Sequence, residues 1–281
     1  MNIKVENKIQ ELLNTGFKSS LNSVFGRAGS IFKGIAGYAF LAMVIYFILS
    51  TIMGYLIDFV YPLPSYDVDE LQSLMESGDT EAITQFYVDT YGNNETLLYG
   101  VLSNLASVIF YPILYSVFTM AYKFDHNKSV SFDDIFVNFK NGKYVTLIVV
   151  SIVVQILGSI GLFLCIVPGI AIYSIFMLAI PLVIFADANV GEALSNAYKL
   201  AFKDFGNFFL LCLSFIGISF AAILLGLMLC CVGLIATIPF FYILVYILMY
   251  SLYKEVIGFD DNISPETVEV TDIYSDNPYM K

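Results

Sequence analysis

Charged residues cut the chain into apolar intervals whose lengths can be set against a bilayer. Lys33 and Asp58 enclose 24 uncharged residues, and Glu95 and Lys123 enclose 27. At about 1.5 Å per helical residue, either interval crosses a hydrocarbon core of about 30 Å once. The 43 uncharged residues between Lys143 and Asp187 and the 49 between Asp204 and Lys254 are too long for one helix and suit two. Pro168-Gly169 is the expected outer turn of the first pair, and Gly226 to Gly233, containing Cys230 and Cys231, that of the second. The pattern predicts an all-α, polytopic membrane protein. Its six transmembrane helices fall at about 34–57, 97–122, 144–165, 169–186, 206–228 and 233–253, in three hairpins. An acidic outer loop (58–95) and an acidic cytoplasmic tail (255–281) complete the 34–254 membrane domain and its cytoplasmic N-terminal segment, 1–33. The apolar runs lack the polar/apolar alternation of a membrane β-barrel.

A short amphipathic helix at the membrane interface is expected before each hairpin. Residues 3–32 place Ile3, Ile9, Leu12, Leu13, Phe17, Leu21, Val24 and Phe25 on an apolar stripe. A second copy starts at Ser131 and a third at Asn189, each with a carboxylate three positions on, Asp134 and Glu192, in the pattern of a capping box. Ile135, Phe136 and Phe139 follow in one copy, and Ala193, Leu194, Ala197, Leu200 and Ala201 in the other. The copies close on "NFKNGKY" from Asn138 and "AFKDFGN" from Ala201. Lys140 and Lys203 are 63 residues apart, and "GLFLCIVPG" at Gly161 and "GLMLCCVGL" at Gly226 are 65 apart. A unit of about 64 residues therefore recurs, behind a diverged first copy. Such repeats suit a transporter and equally a structural bundle.

Composition agrees with the membrane reading: 58% of the residues are hydrophobic and 13% charged, about half the charge of a soluble domain. The 13 Lys and Arg against 24 Asp and Glu exclude a nucleic-acid-binding surface. All 13 basic residues lie in the N-terminal segment, the connections between spans two and three and between spans four and five, and the tail. The positive-inside rule therefore puts both termini in the cytoplasm. The outer loop carries nine acids from Asp58 to Glu95 and no base. It is expected to be a solvated cap containing two short helices, on either side of Gly78, that could attract cations or a basic partner. Asp67 and Asp69 lack the remaining ligand pattern of an EF-hand.

Candidate chemistry is sparse. The chain has one histidine, His126, and four cysteines, Cys165, Cys212, Cys230 and Cys231, without the spacing of a metal site. No catalytic triad, P-loop or intramembrane carboxylate pair is visible, so no enzyme, metal or cofactor is expected. The interior polar candidates are Asn104 and Gln155, read as interhelical hydrogen-bond partners or as ligand contacts. Pro181 and Pro239 interrupt spans four and six, either fitting neighbouring helices or lining a pathway.

From Gly161 to Asn207 the sequence "GLFLCIVPGIAIYSIFMLAIPLVIFADANVGEALSNAYKLAFKDFGN" resembles the membrane domain that precedes some glycerophosphodiester phosphodiesterases, and related stand-alone bacterial membrane proteins. The motif residues are Pro168, Gly169, Ala193 and Leu200, all structural, so the resemblance carries over no catalytic residue. In that family a phosphodiesterase barrel follows the membrane part; here 27 residues follow Lys254, and that activity is expected to be absent. The expected function is a non-enzymatic, lipid-associated scaffold or partner subunit of a bacterial cytoplasmic membrane, with membrane lipids as partners and a protein partner at the acidic tail or outer loop. The alternative is a transporter or permease subunit for an apolar or lipid-like solute.

Overall fold

A computed structural model describes residues 1–62, 68–229 and 233–259. Cys230, Cys231, Asp67 and the tail beyond Phe259 lie outside the described residues. Among these residues every regular element is helical, and the chain divides into two units. The first comprises Met1–Val44 and the chain from Pro112 onward; the second is Ile45–Tyr111.

The first unit begins with α1 (Ile3–Thr15). The Asn2 side chain caps it by accepting the Lys4 N–H at 3.0 Å, and Gly16 ends it with φ +73°. A left-handed residue cannot continue a helix, and glycine takes that conformation without a Cβ clash. The expected stripe over 3–32 is therefore split at Gly16, and its second half belongs to α2 (Leu21–Val60). The direction of the stripe is corrected too. Val5, Ile9 and Leu12 are buried in the protein, where α1 packs on a later helix, instead of facing lipid. With 40 residues, α2 is about 60 Å long, twice the hydrocarbon thickness. In the first unit it buries Val24, Ala28, Ile31, Ile35, Ala39, Ala42 and Met43, a stripe spaced by threes and fours.

The second unit holds the rest of α2, then α3 (Val68–Ser77), α4 (Thr80–Tyr91) and α5 (Asn94–Val108). The two short helices expected from the outer loop are α3 and α4. Gly78 (φ +69°) turns the chain between them, and the Asp79 carboxylate caps α4 by accepting the Glu81 and Ala82 N–H groups at 3.1 Å. Neither helix has a buried residue.

The chain continues through α6 (Tyr111–Leu114) and α7 (Ser116–Asp125). The run expected as one span is interrupted at 109–110. Pro112 accounts for the break, since it has no N–H for the Val108 carbonyl. A 3-10 turn (Phe132–Phe136) and α8 (Val137–Lys140) follow. Next come α9 (Tyr144–Leu164), α10 (Ile166–Ile175), α11 (Ala179–Ala186), α12 (Val190–Lys203), α13 (Phe205–Met228) and α14 (Leu234–Val256). Here α9 packs along α10, α13 along α14, and α10 against α13; α1 packs on α12.

The turn between α9 and α10 lies at Cys165, whose backbone is extended (φ −174°, ψ 155°), three residues before the expected Pro168-Gly169. Pro168 instead sits in the first turn of α10, where a missing N–H leaves no helical bond unmade. Gly169 lets the returning helix approach: a Cβ on Gly161 would lie 3.0 Å from the Gly169 Cα and 2.6 Å from Ile172 Cδ1. Gly226, at the matching place in the repeat, meets α14 in the same way, against Leu234 and 2.8 Å from Thr237 Oγ1. Pro181 deprives the Met177 carbonyl of its helical partner, and α10 and α11 are accordingly separated at 176–178. By contrast α14 runs through Pro239 unbroken.

Candidate functional site

The polar chemistry of the first unit collects where the non-spanning segments meet, and ion pairs such as Arg27–Glu255 and Lys254–Asp125 there join positions far apart in sequence. Both expected capping boxes are formed. Asp134 Oδ2 accepts the Ser131 N–H at 2.8 Å, and Glu192 Oε2 accepts the Asn189 N–H at 2.9 Å while Asn189 Oδ1 accepts the Glu192 N–H at 3.0 Å. The same two carboxylates reach beyond their helices. Asp134 Oδ1 is 2.7 Å from Lys123 Nζ at the end of α7, and Glu192 Oε2 is 3.0 Å from the Met1 amino group. The Asn189 N–H and then the Met1 amino group hold the Glu192 carboxyl below its ordinary range.

Further contacts fasten the spans. Lys143 pairs with Asp187 and donates to the Ile184 carbonyl at 2.7 Å, so the two flanks of the 43-residue uncharged interval meet. Asp187 ends α11 in a left-handed conformation (φ 51°), which a short polar side chain tolerates better than most. Asp125 Oδ2 accepts from Tyr250 Oη and Lys254 Nζ, both at 2.6 Å. Arg27 pairs with Glu255 at 3.2 Å and donates to the Ser251 carbonyl at 3.0 Å. Asp204 accepts from the Ser19 backbone at 2.7 Å and the Ser19 hydroxyl at 2.6 Å, tying the link before α2 to the start of α13. Asn138, wholly buried, donates to the Pro112 carbonyl at 3.0 Å.

Around Asp125 the rings of Tyr122, His126, Phe185, Tyr250, Tyr253 and Phe259 pack together. The His126 ring packs at a tilt against Tyr122 with centroids 4.2 Å apart, and its Nδ1 lies 2.8 Å from the Tyr122 carbonyl. Asp125, Asp134, Asp187, Glu192, Asp204 and Glu255 all have cationic, hydroxyl or amide partners. These contacts join one element to another. A groove of about 490 Å³ lies beside this network, between Lys4, Asn7, Lys8 and Glu11 of α1 and Ile257–Phe259 after α14.

The residues singled out from sequence do not converge on one site. Pro168 and Gly169 belong to the α9–α10 turn, and Ala193 and Leu200 are buried on the face of α12 that carries Ala197 and Ala201. Asn104 is exposed and donates to the carbonyl of Gly100 in its own helix at 2.7 Å. Gln155 is half-buried along α9. Cys165 is exposed and Cys212 buried, and among the described residues no group of three His, Cys, Asp or Glu side chains could hold a metal ion. Sequence reasoning missed the ion-pair network. Its available signal was that Asp125, Asp134, Asp187 and Asp204, four acids on the basic side, each fall within two residues of an element end.

Among the described residues five helices are long and apolar enough to cross a membrane: α2, α9, α10 with α11, α13 and α14. Counting α5 with α6–α7 as one interrupted span makes six. The architecture is that of a multi-pass helical membrane protein. Compared with models of known families, with curated proteins and with solved structures, the chain has no match.

Proposed function

We propose that the protein is a non-enzymatic, lipid-associated scaffold or partner subunit of a bacterial cytoplasmic membrane. The supporting observation is the use of charge at the polar end of the first unit: the carboxylates there serve contacts between elements. The proposed arrangement is three hairpins, with α2 and α5–α7 as the first, preceded by α1, by the 3-10 turn with α8, and by α12 at the membrane interface. The resemblance of Gly161–Asn207 to the membrane domain before glycerophosphodiester phosphodiesterases fits a part that positions other activities in the membrane. The segregation of all Lys and Arg supports cytoplasmic termini, with the α3–α4 segment outside.

Purification from native membranes, with copurifying proteins and lipids identified, tests the function; recovery of neither a stoichiometric protein partner nor bound lipid refutes it. For the orientation, a cysteine at Asp89 should react with an impermeant maleimide in intact cells, and reaction only after permeabilisation reverses it. The break at 176–178 favours a second reading, a transporter subunit for an apolar solute, because interrupted helices can line a pathway. Solute uptake by proteoliposomes containing the protein alone would establish that reading instead.

A further inference from the structure

A dipeptide recurs at the entry to the spans. Phe139-Lys140 stands before α9 and Phe202-Lys203 before α13, at equivalent places in the repeat; Phe32-Lys33 stands in α2 where the first apolar interval begins. All three lysines are exposed, and none forms an ion pair among the described residues. Neighbouring acids are already engaged: Asp204 by Ser19 and Asn207, Asp134 by Lys123, Glu192 by the Met1 amino group. Asp133 is the exposed acid near the second dipeptide.

Ring exposure strengthens the pattern. Phe139 is 38% and Phe202 55% exposed, whereas Phe32 packs edge-on against Phe240, leaving Lys33 to present charge alone. The arrangement is most developed on α12. Ala193, Asn196, Ala197, Leu200 and Ala201 are buried on one face, while Ser195, Tyr198, Lys199, Phe202 and Lys203 follow the i, i+3, i+4, i+7, i+8 spacing of the opposite, exposed face. The Tyr198 and Phe202 rings pack at a tilt with centroids 4.6 Å apart, and Phe205 stacks on Phe202 at 5.9 Å. This helix therefore turns its small residues to the protein and presents paired rings and two uncompensated cations. Aromatic rings favour the headgroup level of a membrane, and lysines there reach lipid phosphates while their stems lie along apolar surface.

We propose that the Phe–Lys dipeptides, with the Tyr198–Lys203 face of α12 as the principal element, bind the headgroups of anionic phospholipids. Charge and position select this occupant: clustered cations at the ends of apolar spans complement an anionic leaflet, and a zwitterionic headgroup cancels much of that attraction. The inference deepens the lipid association proposed above and rests on it.

The test uses the purified full chain in neutral detergent, with thermal unfolding followed as phosphatidylglycerol or phosphatidylcholine is added. Phosphatidylglycerol should stabilise at lower concentration. Each of K140Q, K199Q and K203Q should reduce that preference by up to about fivefold, the equivalent of ~1 kcal/mol per lysine at an anionic surface. Lys→Arg variants at these positions should keep it, and K4Q/K8Q, on the groove beside α1, should leave it unchanged. Equal effects of the two lipids overturn the proposal, as does a preference that survives the triple Gln variant. Stabilisation by inorganic phosphate alone to the same extent also overturns it, since the ligand would then be a free anion. Failure to retain any lipid during purification refutes the underlying lipid association, whereas retention without headgroup preference refutes this inference alone.

Discussion

Replacing Asp134 by asparagine removes the charge that fastens α7 to the segment before α9. The Asp134 side chain is 6% and the Lys123 side chain 17% exposed, with 2.7 Å between Nζ and Oδ1. Both carboxylate oxygens are used, since Oδ2 accepts the Ser131 N–H at 2.8 Å and the Ser131 hydroxyl at 3.3 Å. Breaking a buried pair by removing one partner costs about 3–5 kcal/mol, because the remaining charge is left uncompensated. Two features place this pair at or below the lower bound: the Lys123 stem is long enough to move its ammonium toward water, and the amide oxygen introduced by D134N could still accept one Ser131 bond. The expected loss is therefore about 2–3 kcal/mol, or roughly 30- to 150-fold in the folding equilibrium. The corresponding change on the other side, K123M, leaves Asp134 buried with its two Ser131 contacts and should cost about 2 kcal/mol. In K123M/D134N neither charge is left stranded. The double variant should then lose less than the sum of the singles, with a coupling of about 1–3 kcal/mol. Unfolding of the purified protein in mixed micelles, titrated with a denaturing detergent and read by helical circular dichroism, measures all four forms. Additive single losses would refute the reasoning, because they would mean that the two charges do not sense each other.

Two further outcomes follow from the same geometry. Valine at Gly161 or Gly226 should each destabilise by about 1–3 kcal/mol, since the added carbons enter the space occupied by Gly169 and Ile172 or by Leu234 and Thr237; valine at Gly217, where a Cβ meets nothing within 4 Å, should be tolerated in the same assay. At Glu192 the folded-state pKa is lowered, so its stabilising contribution is present above the ordinary glutamate value of 4.5 and is lost as pH falls through the lower folded value. Hydrogen exchange should show the first-turn amides of α12 keeping their protection just below pH 4.5 and losing it on further acidification. In E192Q that protection should be weaker at neutral pH and flat across the window; an unchanged acid profile in E192Q would exclude the carboxylate as its source.

Apolar interval lengths made the spans legible, because insertion of a helix into hydrocarbon depends on its own side chains. The capping boxes at Ser131 and Asn189 were legible for the same local reason: donor and acceptor lie three residues apart. Breaks followed the proline rule only where each proline's place in its helix was considered. Pro168 opens a helix, Pro181 and Pro112 follow interruptions, and Pro239 rests inside an unbroken one.

The tertiary structure decided which surfaces face protein and which face outward. The amphipathic stripe of α1 looked like a membrane-binding face, yet Val5, Ile9 and Leu12 are buried in the protein. Amphipathicity records that one side avoids water without naming what replaces the water. On α12 the buried side is the one with small alanines and the outward side carries the large rings, which close packing explains and hydrophobicity alone does not. The charge partners needed the structure too. Lys143 meets Asp187, Arg27 meets Glu255 and Asp204 meets Ser19 across 44, 228 and 185 positions, and such contacts exist only after the spans have been brought side by side.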